Sequence, residues 1–403
     1  MNNALKTLFE TDIASDSTAR KLIGLLLHHG AMPIADVARE LGLSVPTTTK
    51  ILRGMKADGI LTTDTNGREA GGRSAVHYGI NAQLGYFIGI DVKYNRINFT
   101  LTDFATNPLQ THTTTGFQLW NNPNALTELY THIRDFLSGL TIENECILGL
   151  SVCLPGRINT ATGRTYTIFQ NEEKPLAQLM SDELGFDVRI DNDTRCMAYG
   201  EYLLGPYQGA PNVVFANIGW GIGTGLIIDR HIYYGKSGFS GEYGHAPAFD
   251  NEQICICGKK GCLETEVSGS AIVRKFRKRL EEGSGSILQQ QFASPSDIEL
   301  RHILQAARDG DNLAIEVIQN VGYLLGKHLA TLLNLFNPDY MILGGSVGRI
   351  GDCLTYAVRN SLMKYALSYV ASDSQIATAT LDENLASTLG ACLLMRNSML
   401  GLI

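Results

Sequence analysis

Two strand-turn-strand units, about 130 residues apart, constrain this chain most. The first has strands over 84–92 and 96–104, separated by Lys93-Tyr94-Asn95. In the second, a strand over 213–218 enters Gly219-Trp220-Gly221-Ile222-Gly223-Thr224-Gly225, and a partner strand runs through 226–228. A recurring unit of this kind implies a two-lobed α/β body with an internal repeat. The chain has 403 residues, room for two to four domains at roughly 100–200 residues each. The glycine-rich turn of the second unit has two readings, turn formers in a hairpin or backbone N–H groups cradling a phosphate. Phe336-Asn337-Pro338-Asp339-Tyr340-Met341-Ile342-Leu343-Gly344-Gly345-Ser346 reads as helix end, strand and Gly turn, a loop type that lines clefts in α/β folds.

The first eighty residues follow another pattern. Apolar Leu22, Ile23, Leu26 and Leu27 predict a helix over 17–29, ended by Gly30. Ile34, Val37, Ala38 and Leu41 place a second helix after Pro33. Gly42-Leu43 turns the chain, and Ser44 caps a third helix that tolerates Pro46 in its first turn. Thr48, Ile51, Leu52 and Met55 form its inner stripe, with Thr47, Lys50 and Arg53 on the outer face. Two short helices across a tight turn, the second carrying polar and basic residues at its start, make a helix-turn-helix. Strands at 59–63 and 75–80 around Asn66-Gly67 then read as a wing. Gly71-Gly72-Arg73 is either a solvated linker or an arginine presented to an A·T-rich minor groove. DNA contacts are therefore expected from Thr47, Lys50, Arg53 and Arg73.

The net charge is −7. Residues 1–80 carry 9 Lys and Arg against 8 Asp and Glu, whereas the remainder carries 24 against 32, so the acidity resides in the body. A modest basic footprint at the N-terminus is compatible with operator DNA. No window approaches the roughly 18 apolar residues of a membrane helix, and Met1–Lys6 opens no signal peptide. The expected location is cytoplasmic, with no membrane partner.

Three of the eight cysteines cluster as Cys255-Ile256-Cys257-Gly258-Lys259-Lys260-Gly261-Cys262, and His245 precedes them. One His and three Cys satisfy a closed tetrahedral zinc site, structural because no position stays open for water or substrate. Near this cluster in sequence stand Glu242 and Glu264, and Asn192-Asp193 follow a strand over 188–190. Carboxylates and amides converging on a cleft suit sugar hydroxyls, which donate and accept. Alone, Asp193 also reads as the N-cap of the helix that follows.

Gly241-Glu242-Tyr243-Gly244-His245, then Cys255-x-Cys257-Gly258-x-x-Gly261-Cys262-x-Glu264, resemble the ROK family (repressors, open reading frames and sugar kinases). Asn192-Asp193, Leu154-Pro155-Gly156 and Gly344-Gly345-Ser346 extend the resemblance over about residues 84–400. With its helix-turn-helix the chain resembles the repressor branch, that of the xylose, glucose and N-acetylglucosamine repressors. The resemblance implies an actin-like, sugar-kinase-like (RNase H-like) ATPase-fold body. Its expected organisation is a winged helix-turn-helix over 1–80, lobe 1 over 81–205 with a C-terminal helix near 384–403 returning to it, and lobe 2 over 206–383 bearing the zinc loop. It also implies sugar contacts from Asn192, Asp193, Glu242, His245 and Glu264, with Asp193 the counterpart of the general base in kinase members.

Two departures from the kinase pattern stand out. Asp-x-Gly-Gly-Thr at the first phosphate loop is replaced by Asp91-Val92-Lys93-Tyr94-Asn95, and Trp220 replaces the Thr of the second loop. Both put bulk where a backbone must approach phosphate. The expectation is a repressor of carbohydrate-use genes with no catalytic residue, Asp193 being a vestigial base, and with ATP not bound. Its effector is a sugar or sugar phosphate in the interlobe cleft, and the chain pairs as a homodimer or homotetramer. The alternative is an ATP-dependent sugar kinase with an added DNA-binding domain.

Overall fold

The computed structural model describes residues 17–64, 76–170 and 172–403. The chain divides into two compact units, residues 1–196 with 387–403, and residues 197–386. The Asn66-Gly67 turn and the Gly71-Gly72-Arg73 segment, with the DNA contact expected of Arg73, lie outside the described residues.

Unit 1 begins with helices α1 (Ser17–His29), α2 (Ile34–Leu41) and α3 (Val45–Ala57). Ser44 caps α3, its hydroxyl accepting from the Thr47 backbone N–H at 3.3 Å. This satisfies one of the orphan donors of the first turn. Strands β1 (Met32–Pro33), β2 (Leu61–Asp64) and β3 (His77–Ile80) pair antiparallel in the order β1-β3-β2. Three helices and this small sheet are a winged helix-turn-helix.

The rest of unit 1 is a five-stranded sheet. It comprises β4 (Tyr86–Val92), β5 (Arg96–Asp103), β6 (Pro108–Thr115), β7 (Ile147–Leu154) and, after the short hairpin β8 (Ile158–Asn159) and β9 (Arg164–Thr165), β10 (Val188–Asn192). Helix α4 (Ala125–Ser138) precedes β7, and α5 (Leu176–Leu184) precedes β10. The strand order is β10-β7-β4-β5-β6, with β5 antiparallel to both neighbours and β7 parallel to β4 and β10.

Helix α6 (Asp193–Leu204) leads into unit 2, whose sheet has the order β13-β12-β11-β14-β15. Its strands are β11 (Val213–Ile218), β12 (Ile222–Ile228), β13 (His231–Ile232), β14 (Tyr340–Gly344) and β15 (Gln375–Thr378). Here too the second strand is antiparallel to both neighbours and the fourth and fifth add in parallel. The two sheets thus repeat one topology, the physical content of the duplication legible in the sequence. Between β13 and β14 lie α7 (Glu264–Val267), α8 (Gly269–Glu281), α9 (Leu300–Arg308) and the central α10 (Asn312–Phe336). Helices α11 (Gly345–Gly348), α12 (Asp352–Tyr365) and α13 (Ser368–Asp373) connect β14 to β15.

One expectation is corrected. The glycine run reads in sequence as a turn reaching Gly225, yet β12 already begins at Ile222. Gly223 and Gly225 pair with Asn217 and Phe215 inside the ladder, so the turn shrinks to Gly219-Trp220-Gly221. Ladder pairing with β11 outweighs the weak strand propensity of glycine.

The last helix, α14 (Glu383–Met399), ties two parts of unit 1 together. Near its start, Thr388 shares a 2.7 Å hydrogen bond with Thr100 of β5. Farther along, Cys392, Met395 and Leu400 enter one apolar cluster with Leu22, Leu26, Leu52, Ile60, Phe87 and Phe104. Arg396, buried, donates to the Phe104 carbonyl oxygen at 3.2 Å. The helix therefore touches the sheet at one end and the core of the winged domain at the other, roughly 20 Å apart at 1.5 Å per residue. The contact requires glycine at position 89, since a Cβ there would lie 2.0 Å from the Thr388 carbonyl oxygen and 3.0 Å from the Cys392 sulfur. Gly89→Val is expected to lower stability by at least about 2 kcal/mol through overpacking. An unchanged denaturation midpoint would contradict this seating of α14.

Candidate functional site

Asn192 and Asp193 stand at the junction of β10 and α6. Asn192, not Asp193, caps the helix, its side-chain oxygen accepting from the Arg195 backbone N–H at 3.1 Å. Its amide donates to the Gly156 carbonyl oxygen at 3.0 Å, fixing the Leu154-Pro155-Gly156 loop beside it. Asp193 accepts from the Thr194 backbone N–H on Oδ1 at 2.7 Å and meets the Lys93 ammonium on Oδ2 at 3.4 Å.

Lys93 belongs to the turn between β4 and β5. Its Nζ also lies 3.3 Å from Asp91 Oδ1. Asp91 is completely buried. Its Oδ2 accepts from the Ser387 hydroxyl at 2.6 Å and the Asn98 amide at 3.3 Å. Burial pushes the Asp91 carboxyl above the usual carboxylate range, and the Lys93 ammonium opposes that shift. Ser387 and Asn98 were not foreseen from sequence. Ser387 is almost three hundred residues from Asp91, and nothing in a one-dimensional pattern marks a serine in an apolar helix as a carboxylate's partner.

The other expected sugar residues lie in unit 2. Glu242 and His245 bound a short helical turn packed on β12, with Gly241 at its start. At Gly241, φ is +87° and a Cβ would sit 1.9 Å from the Thr224 carbonyl oxygen, so both conformation and space require glycine. His245 directs Nε2 toward Glu242, 3.7 Å away, and Nδ1 toward Cys255 Sγ, 3.4 Å away. Glu264 opens α7. Its Oε2 accepts from the Ile222 backbone N–H at 3.4 Å, and its Oε1 accepts from the Cys255 thiol at 2.9 Å. Glu242, His245 and Glu264 thus form one group, and Asn192 and Asp193 form another in unit 1. Trp220, on the adjoining turn, is 63% exposed.

The cysteines form a tight knuckle. Cys255 N–H donates to the Lys259 carbonyl oxygen, and Gly258 N–H donates to that of Cys255, each at 2.8 Å. The backbone of 246–249 pairs with Gly261–Leu263, which brings His245 onto the knuckle. The donor atoms of His245, Cys255, Cys257 and Cys262 all lie within 4.8 Å of one another, so the cluster can hold a metal ion. Sγ of Cys257 and of Cys262 are 3.6 Å apart. Tetrahedral sulfur ligands at about 2.3 Å from one ion stand about 3.8 Å apart. Burial raises the Cys255 and Cys262 thiols, whereas hydrogen bonds from the Lys259 backbone N–H and its two neighbouring cysteines bring Cys257 below its ordinary value despite burial.

In the winged domain, Thr48, Leu52 and Met55 of α3 are buried and Ile51 is partly so. Thr47, Lys50 and Arg53 all face solvent. The Thr47 hydroxyl bonds Ser44 at 2.8 Å. Arg39, by contrast, is engaged by Asp36 at 2.8 Å.

The sequence pattern of the ROK family matches residues 87–398. The chain belongs to the ROK family. A winged helix-turn-helix DNA-binding pattern matches residues 15–62 as well. This ROK protein is 27% identical to the xylose repressor of Bacillus spizizenii over 93% of its own length and 94% of the repressor's. It is 25% identical to the N-acetylglucosamine repressor of Shigella flexneri over 96% and 94% of the two chains. A glucokinase of Halalkalibacterium halodurans is 31% identical, over 61% of this chain and 75% of the kinase. Among solved structures, a ROK family transcriptional regulator homologous to the E. coli Mlc protein superposes with a TM-score of 0.80. That likeness is 25% identical and covers 97% of this chain and 99% of the regulator. A ROK glucokinase from Streptomyces griseus, in complex with glucose and AMPPNP, gives 0.67 at 26% identity, over 77% of this chain and 99% of the kinase. The body is therefore the sugar-kinase-like, actin-like fold expected from sequence, and the added N-terminal residues are DNA-binding in type.

Proposed function

We propose that this ROK protein is a sugar-responsive transcriptional repressor of carbohydrate-use genes, bound to operator DNA through α3 and its wing. The observation that carries the reading is that the likeness to sugar repressors runs through winged domain and body alike. Likeness to the kinases covers a smaller share of the chain, 61% and 77%. Repressors of this class work inside the cell, and paired half-sites call for at least a dimer. Thr47, Lys50 and Arg53 are assigned to the DNA face, with Arg73 in the adjoining linker. Lys50 and Arg53 have no ion pair among the described residues, so both charges remain available to phosphates. Replacing both by Ala is expected to weaken operator binding at least tenfold and to flatten its dependence on salt by about two phosphate contacts. Binding indistinguishable from the parent protein, in a mobility-shift titration at several salt concentrations, would dismiss the assignment.

Asn192, Asp193, Glu242, His245 and Glu264 are assigned to the sugar. What supports transmission to DNA is α14, which bonds Asp91 through Ser387 and ends in the winged domain's core. A ligand that shifts the Lys93–Asp193 pair acts on one end of that helix, and differential affinity for two settings of it is all that allostery requires.

The metal is assigned as structural zinc on His245, Cys255, Cys257 and Cys262, as this donor set prefers. Bound there, it would cross-link the knuckle to His245 and so hold Glu242 and Glu264 in place. Cys257→Ser is expected to abolish the single equivalent of zinc found by elemental analysis and to lower the melting temperature by several degrees. Full melting temperature with no metal in the parent protein would remove the claim.

Phosphoryl transfer is not expected. Lys93 occupies the Asp193 carboxylate that would serve as base, and Tyr94 and Trp220 stand in the two turns where the family resemblance puts phosphate. Transfer depends on positioning and on charge stabilisation of the phosphoryl group, which a base alone does not supply. With ATP, magnesium and a bound sugar, turnover should stay far below about 1 s⁻¹. Turnover near that rate, lost in Asp193→Ala, would make the chain a kinase.

A further inference from the structure

The charges around Asp193 bear on the chemistry of the effector, given the sugar-binding reading on which this inference rests. Two carboxylates, Asp91 and Asp193, face one ammonium, that of Lys93, at 3.3 and 3.4 Å. The corner has no positive charge to spare. The first turn of α6 is equally committed. A helix N-terminus ordinarily offers backbone N–H groups to an anion. Here Thr194 N–H donates to Asp193 Oδ1 and Arg195 N–H to Asn192 Oδ1. Asn192 N–H in turn donates to Asp191 Oδ1 at 2.7 Å. Side-chain oxygens thus fill the places a phosphate would take.

The neighbouring Arg195 guanidinium is ion-paired, and that of Arg157 is held by neutral oxygens. Arg195 pairs with Asp191 at 2.6 Å, both buried. Arg157 donates to the Tyr166 carbonyl oxygen and the Thr167 hydroxyl. A phosphate ester here would set a double negative charge against Asp193, with Lys93 already shared between two carboxylates. A free hydroxyl meets no such opposition, donating its proton to Asp193 Oδ2 in a charge-assisted hydrogen bond.

We propose that the effector is an unphosphorylated sugar, whose free hydroxyl meets Asp193 and Lys93 at the position where a sugar phosphate would carry its phosphate. Lys93 completes this corner by balancing Asp193, and by doing so it sets the preference for a neutral ligand.

The test is calorimetric titration of the full-length protein with matched pairs. These are D-glucose and glucose 6-phosphate, N-acetylglucosamine and its 6-phosphate, and D-mannose and mannose 6-phosphate. Terminal phosphates are chosen because Asp193 corresponds to the residue that serves as general base toward the acceptor hydroxyl in the kinases. The expected result is that a free sugar binds and its phosphate binds at least tenfold more weakly. That gap should narrow as added salt screens like charges, and narrow again in Asp193→Asn. A phosphate that binds as tightly as its parent sugar, or tighter, overturns the inference and leaves sugar sensing intact. So does a Lys93→Met variant that loses affinity for the phosphate and not for the free sugar, since Lys93 would then recognise phosphate. If none of the six compounds binds, the sugar-sensing reading itself fails and the inference falls with it.

Discussion

A buried carboxylate is costly unless its charge is answered, and Asp91 organises unit 1 through the answers it receives. It stands on the central strand β4 with no solvent exposure. Asn98 answers it from β5, Lys93 from the turn between the strands, and Ser387 from the last helix. Each partner brings its element to one point. Lys93 carries the connection onward to Asp193, so the residue expected to meet ligand shares an electrostatic network with the helix whose other end lies in the DNA-binding domain. In a low-dielectric interior such a network favours a few discrete arrangements over a continuum, which suits a two-state response.

Unit 2 obtains its precision from a different source. Glu242, His245 and Glu264 sit on short irregular segments with little regular secondary structure to stiffen them. The Cys knuckle supplies the stiffness, and its backbone pairs directly with the segment after His245. Glu264 is further tied to the Ile222 backbone N–H at the edge of the Trp220 turn, so cysteine knuckle, carboxylate and turn form one contiguous group. Tyr94 stands in the turn between β4 and β5, and Trp220 in the matching turn between β11 and β12.

Much of this was legible in sequence because the signals are local. The helix-turn-helix shows itself through apolar spacing and the Ser44 cap, and α1 spans the residues that its apolar stripe predicts. The Cys and His spacing predicts a cluster because a knuckle closes over few residues. Strand β6 gave no such sign. Its residues, Pro108–Thr115, are mostly exposed and rich in threonine, without the apolar alternation that marks a half-buried strand. The turn after β11 looks longer in sequence than it is, because glycines in a ladder resemble glycines in a loop until the partner strand is known.

The sequence by itself determined the two-lobed repeat, the winged domain and the grouping of His245, Cys255, Cys257 and Cys262. These depend on residue type and short-range spacing, which a linear pattern preserves. Only the tertiary structure decided that Asn192 caps α6 and leaves Asp193 to Lys93, that Ser387 answers Asp91, and that α14 links this corner to the winged domain. Those facts come from contacts between residues far apart in the chain. Which partner a buried charge finds depends on how the sheets and the last helix pack, and that packing is a property of the whole fold.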